Sequence, residues 1–334
     1  MTPWTDRSGQ FSALKSLTFA GLFLPAIDAD LSLSPTAGGV ISGGSFLGYC
    51  LAIVVSAHLS ERFGARPVAV AAALVAAAGM VGIAVAPSAV WLAGAVMLAG
   101  SSTGLASPPL AAAVAAAVQP ARQSATNTVI NAGTGAGVLL SGPVALLIGG
   151  QWRLAFGLFA VVALCMALAA AAFVPRTQRT AAAPARGGLP ARTRALAHLV
   201  AASFLMGASS TAAWSFGGQL AALRLDWSSA GVGLLWILIG TAGIAGAAAG
   251  TLVERYGIDC VHRVFLGAMA AGILAIGGSV TTPALTLVGG VLFGAAYIML
   301  SGVYLVWGVS ALPDRPATGL TAGFLAIAVG QAAG

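Results

Sequence analysis

The chain has 334 residues, of which 59% are apolar or aromatic and only 7% are charged. A soluble domain carries about 25% charged residues, so this sequence has too little polar surface to cover a soluble fold. The composition excludes a soluble enzyme, a disordered chain and a nucleic-acid-binding domain, and it predicts an all-α polytopic membrane protein.

Eleven apolar segments are long enough, or nearly so, to cross a bilayer as a helix, which takes about 20 residues. They are too long for the strands of a membrane barrel, so we expect helices. In chain order the predicted spans are Phe11–Ile27, Ala37–Ala57, Pro67–Val85, Val90–Val118, Thr126–Ile148, Leu154–Val174, Ala195–Leu223, Ser229–Leu252, Val261–Val280, Ala284–Leu312 and Ala317–Gly334.

The longest connector, residues 175–194, contains five arginines and no acidic residue. Its proline, glycine and alanine content is typical of a flexible linker. It divides the chain into an N-terminal bundle of six helices at 1–174 and a C-terminal bundle at 195–334, in which five helices are present. Contact of this basic linker with anionic lipid is an alternative to a purely topological role for its charges.

The distribution of basic residues predicts the orientation. With the N-terminus in the cytoplasm, two arginines fall in outer connectors, Arg153 and Arg224, and Lys15 lies within the first span. The inner connectors then hold Arg7, Arg62, Arg66, Arg122, Arg176, Arg179, Arg186, Arg192, Arg194, Arg255, Arg263 and Arg315. This asymmetry follows the positive-inside rule, so we expect a multi-pass protein of the plasma membrane with a cytoplasmic N-terminus.

The connectors after the second and eighth spans form an internal repeat. Residues 59–64 and 252–257 both read Leu-x-Glu-Arg-aromatic-Gly, 193 positions apart. Repeats between the two halves of a polytopic protein are typical of secondary transporters. In such a loop, glycine permits a sharp turn between helices, while the acid and arginine can pair with each other and with helix ends.

These connectors resemble the G-x-L-x-D-R-x-G-R-R/K loop of the major facilitator superfamily, found between helices 2 and 3 and again between 8 and 9. Glu61 and Glu254 stand where the family usually has aspartate, and Ala57 and Ala65 depart from the pattern in the first copy. The matching residues are Arg62, Gly64 and Arg66, then Gly250, Arg255 and Gly257. The segment 151–156, QWRLAF, is also similar to the family's tryptophan-arginine segment.

The resemblance implies two six-helix bundles and a secondary active or facilitative transporter that moves a small organic solute by alternating access. It also implies that Glu61, Arg62 and Arg66 latch the bundles together on the cytoplasmic side; a surface ion pair is the alternative. Against a twelve-helix architecture the chain ends within its eleventh span and lacks the twelfth, so we expect a fragment of a longer reading frame.

The fifth span resembles the glycine-proline motif of antiporters in this superfamily through Gly142 and Pro143. Gly133 and Gly137 are four residues apart, a spacing that permits close helix packing. However, Leu146 and Leu147 stand where that motif has glycines, and the fourth span lacks the arginine common in proton-coupled drug exporters. A proton-coupled efflux permease for drugs or metabolites is therefore the alternative function.

The polar residues within the spans are almost all uncharged, which favours a modest-sized organic solute over an inorganic ion. No acidic residue lies near the centre of a predicted span, and Lys15 either reaches the membrane interface or contacts substrate. The candidate cavity residues are Asn127, Asn131, Trp214, Gln219, Tyr297, Tyr304 and Trp307. We expect a monomer in the lipid bilayer whose partners are a solute and, in a coupled mechanism, protons, with no cofactor, metal or nucleic acid.

An intramembrane serine protease is a hypothesis from another class, since residues 207–210, GASS, superficially resemble a rhomboid motif. A serine nucleophile needs a base within hydrogen-bond reach. His198 lies roughly 16 Å from Ser209 along the helix, so the protease hypothesis is disfavoured, as is a transport-inactive sensor or a channel.

Overall fold

A computed structural model of the protein describes residues 23, 26–148, 150–175, 193–313 and 315–334. Within these ranges every regular element is helical. The helices are α1 (26–31), α2 (Pro35–Phe63), α3 (Ala65–Ala84), α4 (Ala89–Ala117), α5 (Pro120–Ile148), α6 (Trp152–Phe173), α7 (Arg194–Leu225), α8 (Ser229–Tyr256), α9 (Ile258–Gly277), α10 (Pro283–Ala311) and α11 (Pro316–Ala333). Lys15, most of the first predicted span and most of the linker lie outside the described residues.

The helices α2 to α11 coincide with the second to eleventh predicted spans. In the described part of the chain, nine of them are long and apolar enough to cross a membrane, and a tenth apolar stretch, Thr318–Ala333, is shorter. This confirms the prediction of an all-α polytopic membrane protein.

Several helices extend beyond the apolar runs that predicted them. Helix α7 begins at Arg194, where the hydroxyl of Thr193 accepts a hydrogen bond from the backbone N–H of Leu196 at 3.2 Å. Helix α2 continues to Phe63 and α8 to Tyr256. Polar residues can continue a helix past the hydrocarbon region, because the backbone hydrogen bonds persist into water. Hydropathy alone therefore predicts helices that are too short at these ends.

Helix α8 contains a feature that hydropathy does not reveal. Its middle, Ile244–Ala248, winds as a 3-10 helix between two α-helical parts. Such tighter winding within a helix often marks a hinge or local strain. Here it falls beside the close contact between α8 and α5 described below.

The helices of the first half pack mainly through small side chains. Helix α2 packs on α4, while α3 packs on both α4 and α6. The buried face of α3 includes Ala72, Ala73 and Ala76, and a Cβ at Gly79 would lie 2.6 Å from the backbone of Ala99. Small residues let helix backbones approach closely where lipid provides no hydrophobic drive for association.

In the second half, α7 packs on α11, α9 packs on α10, and α8 packs on α10. Glycines again mark the closest approaches, because Gly294 of α10 lies against the backbone of Ile239 in α8 and Gly207 of α7 lies against Ile327 in α11. The second half therefore uses the same packing device as the first.

The main contacts between the halves are those of α5 with α8 and α10 and of α2 with α11, and α4 also touches α11. A Cβ at Gly135 would lie 2.9 Å from the carbonyl oxygen of Gly240, and a Cβ at Gly142 would lie 3.0 Å from that of Gly233. Near the other end of α8, Gly250 faces Ala125 and Thr128. We call this line of close contacts between α5 and α8 the glycine seam.

Candidate functional site

A cavity of about 90 Å³ lies between the two halves. The cavity lies midway along the helices. Four of its lining residues are each the middle residue of a 29-residue helix: Tyr49, Thr103, Thr134 and Tyr297. In the described part of the chain six helices line the cavity, with residues Ser42, Ser45, Phe46 and Tyr49 of α2, Val96 and Thr103 of α4, Thr134 of α5, Trp214 and Ser215 of α7, Tyr297, Ile298 and Ser301 of α10, and Phe324, Ile327, Ala328 and Gln331 of α11.

The cavity wall combines aromatic rings with hydroxyl groups. Among its described residues none is acidic or basic, five are aromatic and six are serine or threonine. A wall of this kind binds an organic molecule through ring contacts and hydrogen bonds, since apolar surface supplies affinity and a few placed polar groups supply specificity.

Trp214 is fixed in the wall by three neighbouring aromatic rings. Its ring centroid lies 4.9 Å from that of Tyr297, 5.1 Å from that of Phe293 and 5.7 Å from that of Trp236. The first two contacts are edge-on, an arrangement that ring quadrupoles favour. The indole therefore presents a rigid surface to the cavity.

Two buried polar groups of the cavity wall have no hydrogen-bond partner within the described residues. They are the indole Nε1 of Trp214 and the hydroxyl of Thr134, whose residues are 8% and 7% exposed. A buried donor without an acceptor costs about 1–3 kcal/mol, so native proteins retain few of them without a reason.

Gln331 and Tyr297 form a hydrogen-bonded pair on the wall. The side-chain amide of Gln331 donates from Nε2 to the hydroxyl of Tyr297 at 3.0 Å. The backbone carbonyl of Gln331 accepts from the hydroxyl of Thr211 at 3.1 Å, which holds α11 against α7 at this level. The pair therefore occupies a defined position.

Asn131 lies directly behind the cavity wall and joins the two halves. Its amide donates from Nδ2 to the hydroxyl of Ser301 at 2.8 Å and to the carbonyl of Ile298 at 3.2 Å. Asn131 is 4% exposed, so these bonds are buried. Its amide thus positions Ser301, which does line the cavity, rather than facing the cavity itself.

The other predicted cavity residues take different places. Trp214 and Tyr297 line the cavity, whereas Asn127 and Gln219 are half-buried and are not among its lining residues. Tyr304 and Trp307 lie further along α10 with His262, whose ring is 5.6 Å from that of Tyr304 and 5.8 Å from that of Trp307. The predicted set therefore divides between the cavity and a second cluster.

That second cluster is a chain of hydrogen bonds across three helices. The Nε2 atom of His262 in α9 lies 3.1 Å from the hydroxyl of Tyr304 in α10, and that hydroxyl donates to the carbonyl of Ala202 in α7 at 3.3 Å. Because the tyrosine hydrogen goes to Ala202, the histidine Nε2 is the donor in the first bond. The cluster ties three helices of the second half together.

The two repeat connectors have the same local structure. Gly64 ends α2 and begins α3, while Gly257 ends α8 and begins α9. Each glycine donates its backbone N–H at 2.9 Å to the carbonyl four residues earlier, of Ser60 and Val253 respectively. We call the membrane face that carries these connectors the loop face.

The charged residues of the connectors are mostly exposed. Glu61, Arg62, Glu254 and Arg255 are exposed, and within the described ranges none of the four forms an ion pair. Arg66 is different, because its Nε donates to the carbonyl of Val174 at 2.6 Å and so attaches the start of α3 to the end of α6.

One ion pair is present in the described part of the chain, between Arg153 and Asp30 on the face opposite the loop face. Arg153 also donates to the carbonyl of Ala86 at 2.8 Å, just beyond α3, and Arg224 donates to the carbonyls of Gly277 and Gly278 at 2.9 and 2.7 Å. These two arginines, which the sequence predicts to lie in outer connectors, therefore bind backbone carbonyls where helices end, which a positive charge stabilises.

The antiporter-like motif of the fifth span is divided between two faces of α5. Gly142 lies in the glycine seam, and the neighbouring Pro143 lies within the helix. Gly133 is buried and Gly137 is half-buried. Each is two residues away from Gly135, the residue that contacts α8, and so lies on a different face of the helix.

Sequence reasoning missed several cavity residues: Ser42, Ser45, Tyr49, Thr103, Thr134, Ser215, Ser301 and Gln331. Tyr49 had the clearest signal, an aromatic residue with a polar group at the centre of an apolar span. The hydroxyl residues carried little signal, because serine and threonine in a helix often bond to their own backbone, as Ser45 does to the carbonyl of Ser42 at 2.6 Å.

Comparison of folds identifies similar transporters. The structure of the xylose transporter XylE from E. coli, in a partially occluded inward-open conformation, has a TM-score of 0.75 at 16% identity, covering 99% of this chain and 89% of that one. The nucleoside transporter NupG gives 0.73 at 12% identity, covering 98% and 88%. A bacterial homologue of the human lysosomal transporter Spinster, inward-facing and occupied, gives 0.71 at 17% identity, covering 99% and 78%.

At these identities the likeness concerns the fold, and no curated protein matches the sequence significantly. The sequence model of the Major Facilitator Superfamily, however, matches residues 8–334. With the two-bundle arrangement and the repeated connectors, this match shows that the chain belongs to the Major Facilitator Superfamily.

Proposed function

We propose that this protein carries a small organic solute across the plasma membrane by alternating access between its two halves. The observation that carries the proposal is the cavity at mid-length, lined by helices of both halves. A rocking motion of one half against the other exposes such a site first to one side and then to the other.

The boundaries of the moving units follow the chain. Residues 1–174 form the first bundle, 175–194 the basic linker and 195–334 the second bundle. The glycine seam between α5 and α8 and the contact between α2 and α11 are the surfaces that slide or separate. The loop face is cytoplasmic, in agreement with the positive-inside rule, and the functional unit is a monomer.

The repeat connectors serve as the cytoplasmic latch. Arg66 supports this role by binding the carbonyl of Val174, which keeps the first connector in place. Glu61 and Arg62 are exposed on the same connector and are free to engage the opposite half in the state in which the cytoplasmic side is closed. The second connector, with Gly250, Glu254, Arg255 and Gly257, repeats the arrangement.

Transport is tested by uptake into proteoliposomes that contain the purified protein, with and without a pH gradient, over organic acids, amino acids, sugars, nucleosides and cationic drugs. We expect saturable uptake of at least one class. Dependence on the pH gradient distinguishes a proton-coupled carrier from a uniporter.

A cavity variant makes the test specific. Ser215→Phe places a ring in the cavity and should abolish uptake, whereas Ser310→Phe, at an exposed position on α10 outside the cavity lining, should leave it unchanged. Uptake that persists in Ser215→Phe would show that the solute takes another route.

A further inference from the structure

We infer that the cavity selects an uncharged cyclic solute that brings a hydrogen-bond acceptor to the indole N–H of Trp214, and that this N–H is a determinant of the selection. The inference rests on the proposed transport function and names the substrate class. It follows from the hydrogen-bond groups that the cavity wall leaves unused.

The wall has several unused groups that can donate, and one of them, the indole N–H of Trp214, can only donate. The indole N–H of Trp214 and the hydroxyl of Thr134 have no partner within the described residues, and no hydrogen bond of the Ser215 hydroxyl is found there either. The Tyr297 hydroxyl accepts from Gln331, so its own hydrogen remains available. Four residues with an available donor, on three helices, therefore belong to the lining of one small cavity.

The wall also has unused acceptors, since the hydroxyl oxygens of Thr134 and Ser215 each have lone pairs. Ser301 donates its hydrogen to the carbonyl of Ile298 at 2.9 Å and accepts from Asn131, which leaves one lone pair. The amide oxygen of Gln331 is another acceptor on the wall. Hydroxyl groups can bind a donor or an acceptor, whereas an indole N–H can only donate. A solute that satisfies Trp214 therefore brings an acceptor oxygen or nitrogen atom.

The cavity wall also disfavours a charged solute. An anion has acceptors, but its transfer from water into a site with neutral donors alone carries a large desolvation cost. The described lining residues contain no acidic or basic side chain to offset that cost. An uncharged solute meets the donors without this penalty.

The aromatic residues of the wall favour a ring. Phe46 and Tyr49 of α2 line the cavity from one half, and Trp214, Tyr297 and Phe324 line it from the other. A cyclic solute offers a flat apolar face to such rings while its edge carries the acceptors.

Matched solutes test the class. Isothermal titration calorimetry of the purified protein is carried out with D-glucose, D-glucuronate and D-glucosamine, which share a ring and differ in charge, and with uridine and uridine 5′-monophosphate. We expect the uncharged member of at least one series to bind at least tenfold more tightly than its charged counterparts. Tighter binding of charged members, or binding of none of the five, would overturn the inference.

Matched tryptophan variants test the residue. Trp214→Phe keeps an aromatic ring and removes the N–H, and should weaken binding of the uncharged solute about 3- to 10-fold. Trp236→Phe is the control, since Trp236 is also buried, has an unpartnered Nε1 and contacts Trp214, but does not line the cavity. Unchanged binding in Trp214→Phe, or equal loss in both variants at matched melting temperatures, would contradict the role.

The two proposals fail separately. Suppose that a cysteine introduced at Ser215 is labelled from both sides of the membrane but charged solutes bind more tightly. Alternating access is then supported and the proposed substrate class is wrong. If the cysteine is reached from one side only, the transport mechanism itself is wrong, whatever binds.

Discussion

Gly64 and Gly257, 193 positions apart, adopt nearly the same backbone conformation, with φ and ψ of 86° and 168° in the first and 81° and 157° in the second. In both connectors an arginine side chain lies over the aromatic ring of the next residue. The guanidinium carbon is 5.3 Å from the ring centroid in each case, Arg62 over Phe63 and Arg255 over Tyr256. The repeat visible in the sequence is therefore a repeat in structure, and each half of the protein carries one copy.

The shared conformation predicts a cost for any side chain at these positions. A positive φ with an extended ψ is nearly restricted to glycine, and other residues there lose about 1–3 kcal/mol. Gly257→Ala should therefore lower the melting temperature of the purified protein by several degrees, although its Cβ would meet no atom within 4 Å. Gly267→Ala, inside α9 and equally unobstructed, should leave the melting temperature unchanged or raise it; equal losses in both variants would refute the backbone explanation.

Because backbone packs against backbone in the glycine seam, adding a single methyl group there should force the two halves apart. In Gly240→Ala the new Cβ would clash with the backbone of Leu139 and lie 2.8 Å from the carbonyl of Gly135. Backbone cannot move aside as a side chain can, so we expect about 1–3 kcal/mol of destabilisation and loss of transport. Gly94→Ala in α4, where a Cβ meets nothing within 4 Å, is the control, and normal transport by Gly240→Ala would show that close contact of α5 and α8 is dispensable.

The bond between Asn131 and Ser301 should appear as an energetic coupling between the halves. A double-mutant cycle of Asn131→Ala and Ser301→Ala, measured by unfolding in detergent, should give about 0.6 kcal/mol and at most about 1.7 kcal/mol, the range found for hydrogen bonds between membrane helices. A cycle of Asn131→Ala with Ser310→Ala, whose serine is exposed and bonds to the carbonyl of Val306, should give none. Zero coupling in the first cycle would mean that the bond does not join the halves energetically.

The proposed latch predicts that Glu61 affects transport without affecting folding. Glu61 is exposed and forms no ion pair within the described residues, so Glu61→Gln should leave the melting temperature unchanged while slowing uptake. Asp226→Asn is the control, since this exposed acid caps α7 on the opposite face in a left-handed conformation that asparagine also adopts. Uptake at the normal rate in Glu61→Gln would assign the connector a purely topological role.

The helices were predictable because each crosses the membrane with a long apolar run, and Gly64 and Gly257 were recognisable from the repeat. The face through which each helix contacts its neighbours was not predictable. Gly133 and Gly137 have the expected spacing, yet Gly135 meets α8, because a glycine-rich span offers several possible contact faces. A polar amide within an apolar span predicts that Asn131 faces protein rather than lipid. Only the structure shows that Asn131 lies behind the residues that line the cavity and not among them.

Alternating access at the cavity is tested most directly by the accessibility of one residue from both sides of the membrane. Ser215 lines the cavity, and Ser215→Cys is made in a background in which Cys50, Cys165 and Cys260 are replaced by serine. A membrane-impermeant methanethiosulfonate is then applied to oriented vesicles from the inside or from the outside. Alternating access predicts labelling of the cysteine from each side in turn; labelling from one side only, under every solute and pH condition, would contradict it.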